Sequence, residues 1–118
     1  FKINSKLIIR PWLFNFLVGD TPKYLSYFRL GDILVVGTPS DFSGELVNPI
    51  EKSISNKSLN LMINSFNGGY IGYVTDDKWY DRDDINTYET HTMNWYGPYN
   101  GKYFSELIKK IIEINEKH

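Results

Sequence analysis

An α/β (α+β) fold, with a mixed β-sheet covered by amphipathic helices and a long aromatic-rich loop, is predicted for this chain of 118 residues by three observations. The alternating run 23–30 leads through Gly31-Asp32 into the apolar run Ile33-Leu34-Val35-Val36, the pattern of a hairpin. A second strand-like run, 59–66, lies beyond a stretch with helical spacing. The chain closes on a long amphipathic helix. This order of strand, hairpin, helix, strand, loop and helix puts helices over a mixed sheet.

Residues 1–10 alternate and then turn apolar, which reads as one strand becoming buried. It ends at Arg10-Pro11, because the residue before proline avoids helical geometry. Past Pro39 the chain is richer in polar residues and glycine, and then Leu46, Val47, Ile50 and Ile54 fall at helical spacing. Pro49 would break a helix interior. Asn48 as cap, Pro49 at the first helical position and Glu51 reaching back would let a helix restart there, so a kinked helix and a turn with a short helix both fit. In 59–66 one face carries Leu61, Ile63 and Ser65 and the other Met62, Asn64 and Phe66.

Residues 70–93 have no sustained period and carry the acidic run Asp76, Asp77, Asp81, Asp83 and Asp84, which reads as a long solvated loop with short elements. That run lacks calcium-loop spacing and its closing glutamate. The last helix starts near Gly101 with Asn100 as cap. Phe104, Leu107, Ile108, Ile111 and Ile114 form its apolar stripe, with Lys102, Glu106, Lys109, Lys110 and Glu113 outward.

Composition narrows the function. Thirteen basic residues against fourteen acidic ones give a net charge of -1, so there is no basic field for nucleic acid. Cysteine is absent, which removes disulfides, thiolate nucleophiles and Cys-bound zinc. The apolar opening is interrupted by Arg10 and Pro11, too short for a transmembrane segment, and no signal-peptide pattern is legible. Nine Tyr, seven Phe and three Trp supply rings that suit core packing, sugars and amphiphiles alike.

Functional groups concentrate where glycines are dense. Asn67-Gly68-Gly69-Tyr70-Ile71-Gly72-Tyr73 follows a strand, and strand ends beside glycine-rich turns are where α/β folds present side chains to ligands. No Gly-Lys-Ser/Thr follows, so a phosphate loop is disfavoured. Pro39-Ser40-Asp41-Phe42 before it and Tyr88-Glu89 and Tyr96-Gly97-Pro98 after it complete the set.

In this order, Leu30-Gly31-Asp32-Ile33-Leu34, Gly37-Thr38-Pro39-Ser40-Asp41-Phe42, Asn67 to Val74, Tyr88-Glu89, Tyr96-Gly97-Pro98 and the terminal helix resemble the closing part of the catalytic domain of neutral (non-lysosomal, alkaline) ceramidases. The likeness spans about residues 25–118 and implies that the chain is a fragment of a larger domain. It implies a zinc-dependent amidase that splits the N-acyl bond of ceramide-like lipids, in a secreted or periplasmic setting. It implies Asp41 and Tyr73 as metal ligands and Tyr88 as the group supporting the oxyanion. Tyr70, Trp79 and Trp95 are the groove aromatics that would contact lipid.

Two departures bear on that reading. The family commonly has Pro-Gly-Glu where this chain has Pro39-Ser40-Asp41, and the shorter aspartate needs a closer backbone to reach zinc at about 2.0–2.2 Å. Asp41 also fits as the cap of a turn starting near Phe42-Ser43, Tyr73 as a packed tyrosine and Tyr88 as one bonded to backbone; Glu45 is the fallback carboxylate. The family also draws two histidine ligands from far earlier in the domain, whereas His91 and His118 are the only histidines here and form no ligand pair. The upstream part of the domain is therefore an implied partner, and this chain alone is expected to be inactive. A metal-free relative that binds an amphiphile or a glycan is the alternative.

Overall fold

The structure is a computed structural model that describes residues 2–4, 7–8, 16, 24–82, 90, 93–95 and 97–117. The opening run forms two short strands, β1 (Lys2–Asn4) and β2 (Leu7–Ile8), paired antiparallel with each other. The single strand expected over residues 1–10 is thus replaced, among the described residues, by two short paired strands.

The central sheet has three strands, β3 (Ser26–Leu30), β4 (Ile33–Gly37) and β6 (Asn60–Asn64), in the order β3-β4-β6. The predicted hairpin is present: β3 and β4 are antiparallel across Gly31-Asp32, with Leu30 opposite Ile33 and Ser26 opposite Gly37. β6 runs parallel to β4, with Leu34 opposite Leu61 and Val36 opposite Ile63. Alternation then sends Leu34 and Val36 fully into the core, with Leu61 and Ile63 packed against it. Phe28, Leu30, Ile33 and Met62 are left exposed on the other face.

From β4 the chain passes through the fully buried Thr38 and Ser40 into β5 (Asp41–Phe42), a 3-10 turn at Gly44–Leu46 and α1 (Val47–Glu51). The restart at Asn48 is not used. α1 begins at Val47 behind Leu46, with no side-chain cap, so Pro49 sits in the first turn, where amides have no intrahelical acceptor and a missing N–H costs nothing. β7 (Tyr73–Val74) and a 3-10 turn at Asp77–Trp79 are short elements within the described part of the loop.

α2 (Asn100–Glu116) covers the core. Its buried line is Gly101, Ser105, Ile108 and Ile112, flanked by Phe104 and Ile111. Ile114 is 51% exposed, so the expected stripe is rotated: positions 101, 105, 108 and 112 follow the 3.6-residue period more closely than a stripe ending at 114. Asn100 is not the cap. Tyr99 holds that position in the left-handed region at φ 62°, and Asn100 is the first, buried helical residue.

Two contacts fasten the far end of α2. Arg29 of β3 donates from Nη1 to the Asn115 carbonyl, satisfying an acceptor at the helix C-terminus with a cation suited to the dipole there. The Glu116 carboxylate accepts from the Ser55 and Asn56 amides at 2.6 and 2.8 Å, which ties down the loop after α1.

Candidate functional site

β5 and β7 are parallel, with Asp41 opposite Tyr73 and Phe42 opposite Val74. Opposed residues of parallel strands project to the same face, about 4.8 Å apart between chains. Phe42 and Val74 enter the core, so Asp41 and Tyr73 share the opposite, half-buried face. A carboxylate and a phenol distant in sequence become neighbours. The turn after β5 is preceded by Ser43 without a side-chain cap, so Asp41 stands in the strand itself and not at a turn's cap.

Main-chain bonds hold this pair of strands from every side. The Asp41 amide donates to Gly72 O at 3.0 Å, the Ser43 amide to Val74 O at 2.9 Å and the Ile71 amide to Pro39 O at 2.7 Å. On its other edge β7 meets residues 93–94: the Tyr73 amide donates to Met93 O at 3.0 Å, and Gly72 bridges Asn94. The approach is close enough that a Cβ on Gly72, at φ 84°, would lie 2.0 Å from Met93 O. The Asn100 side-chain amide donates to Tyr73 O at 3.4 Å and to Asn94 Oδ1 at 3.3 Å, joining the start of α2 to the same strand.

The three expected aromatics part company. Tyr70 packs edge-on against Trp95, ring centres 5.0 Å apart. Trp79 belongs to another cluster: its Nε1 donates to Glu45 at 2.8 Å, and the Lys78 ammonium lies 4.9 Å from its ring centre. Lys78 also pairs with Glu45 at 3.1 Å and Asp76 at 3.4 Å, and the hydrogen bond to Glu45 is the main cause that raises its pKa. Glu45, the fallback carboxylate, is thereby engaged with Trp79 and Lys78.

Tyr88, His91, Tyr96 and His118 lie outside the described residues. The acidic run serves structure where it is described. Asp76 accepts from the Lys78 amide, Asp77 from the Lys102 amide and Asp81 from the Tyr99 hydroxyl. That last bond is the main cause holding the Tyr99 pKa above its ordinary value, while burial does the same for Tyr80. Among the described residues, no three His, Cys, Asp or Glu side chains cluster in a way that could hold a metal. None of their helices is long and apolar enough to cross a membrane.

Sequence reasoning missed Phe66. It stacks on Tyr70 with ring centres 5.5 Å apart and planes 21° from parallel, yet is 60% exposed, and its backbone is left-handed at φ 59°. Its amide donates to Ser40 O at 3.0 Å, while the preceding Ser65 hydroxyl accepts from the Phe42 amide at 3.0 Å, so it flanks β5 directly. The clue was its position, at a strand end before Asn67-Gly68-Gly69, where chains change direction.

No family model and no curated protein matches the chain. In fold it is similar to a solved structure, the neutral ceramidase from Pseudomonas aeruginosa, with a TM-score of 0.60 and 21% identity. The match covers 78% of this chain and 15% of that one, so the chain spans a small part of the protein it is similar to.

Proposed function

We propose that this chain is the C-terminal segment of the catalytic domain of a neutral-ceramidase-like zinc amidohydrolase, which cleaves the N-acyl amide of ceramide-type lipids. The observation that carries the reading is the register that sets Asp41 beside Tyr73 on one half-buried face. The likeness of fold supports it.

The donor set fits zinc as a partial shell. Carboxylate oxygen is a regular zinc donor, while a phenol of pKa near 10 binds as phenolate only where a cation favours that form. These are two donors of the usual four, and the others would come from histidines upstream in the same domain. Zinc held there would polarise the amide carbonyl and make a bound water acidic.

The protein's own residues divide the remaining work. Asp41 and Tyr73 would face the bound cation from one edge of the reacting centre. Tyr88 would donate its O–H to the oxygen on which charge develops. Tyr70, Trp95 and Trp79 would contact the lipid, Tyr70 and Trp95 as a packed pair and Trp79 with its indole bonded to Glu45. In the overall reaction water adds its oxygen to the acyl carbon, the C–N bond breaks and the nitrogen takes a proton, giving fatty acid and sphingoid base.

Metal analysis and a ceramide assay on the full-length protein test this reading. Stoichiometric zinc with release of fatty acid is the expected result. Tight lipid or glycan binding without zinc would replace it with the metal-free binding relative.

A further inference from the structure

We propose that Phe66 is a specificity residue: with Tyr70 and Trp95 it forms an apolar shelf that receives the distal part of a long acyl chain. The inference rests on the amidase reading above and deepens it. Phe66 combines two features that folding alone does not favour. An aromatic residue is held in the left-handed region that glycine occupies freely, and its ring is left 60% in water. Such strain collects where function requires a side chain in a fixed place.

The surroundings say what that place serves. Phe66 is bonded through its amide to Ser40, the residue before Asp41. Its ring stacks on Tyr70, which meets Trp95, two residues beyond the Met93 carbonyl that pairs with Tyr73. The three rings thus run from the strand that bears the carboxylate to the segment lining the strand that bears the phenol. A surface of this kind offers a hydrocarbon chain apolar contact in proportion to its length. A short acyl group makes less contact with such a shelf than a long one.

The test compares hexanoyl and palmitoyl amides of sphingosine, in mixed micelles, with the full-length protein and its Phe66→Gly, Phe66→Leu and Leu30→Ala variants. In Phe66→Gly the ratio of kcat/KM for palmitoyl over hexanoyl substrate should fall roughly tenfold, through KM, with recovery in Phe66→Leu. Palmitate binding followed by calorimetry should weaken by a similar factor. Thermal stability should hold or rise, since glycine relieves the strain. Leu30→Ala, which trims a side chain 72% exposed on the sheet, should leave the ratio unchanged.

An unchanged ratio and unchanged palmitate affinity in Phe66→Gly would overturn this proposal while leaving the amidase reading intact. Absence of hydrolysis by the unaltered zinc-loaded protein would overturn that reading and the specificity role with it.

Discussion

Gly72 sets how closely β7 can approach residues 93–95. Any side chain there meets two penalties: a left-handed backbone at φ 84°, and a Cβ 2.0 Å from Met93 O. Gly72→Ala should therefore lose about 2–4 kcal/mol of stability, measured by urea unfolding. A loss under about 0.5 kcal/mol would mean that residues 93–95 do not pack on β7 as described. The density of glycine around Tyr70 was plain in the sequence. The Asp41–Tyr73 pairing was expected only through the family resemblance, since nothing local encodes which strand lies beside β5. Phe66 was read as one more residue on a strand face, because a left-handed conformation in a non-glycine residue leaves no mark in composition.

At the scale of elements, the hairpin and the alternation of β6 were legible because turn chemistry and period-2 patterning are local signals. Two-residue strands such as β5 and β7 are too short to have a period, so they emerge only from pairing. The terminal helix was readable in extent but not in rotation: six apolar side chains within it leave several stripes open, and packing against Leu34, Val36 and Val74 selects the one through Ile108 and Ile112. Ile108→Ala should cost about 3–5 kcal/mol by removing a fully buried side chain, whereas Ile114→Ala should change stability by less than about 1 kcal/mol. Equal losses, read from denaturant midpoints, would restore the stripe expected from sequence.

For the molecule as a whole, the raised phenol pKa values of Tyr80 and Tyr99 set an alkaline limit. Below the ordinary tyrosine value of 10.0 both groups are protonated in folded and unfolded chains, and their stabilisation is fully present. Above it the unfolded chain loses protons first, so stability falls as pH rises through the folded-state values. Unfolding midpoints taken from about pH 8 to 11 should drop at the alkaline end, and a Tyr80→Phe, Tyr99→Phe double variant should flatten that drop. The other whole-molecule property is a proposed one, the division of one metal site between this segment and residues upstream; the fold-level match covers 15% of a ceramidase chain. Anomalous diffraction at the zinc edge from crystals of the full-length protein tests this most directly. The account predicts one peak within about 2.0–2.2 Å of both the Asp41 carboxylate and the Tyr73 hydroxyl oxygen; a zinc peak bound elsewhere, with those two oxygens outside its coordination shell, would contradict it.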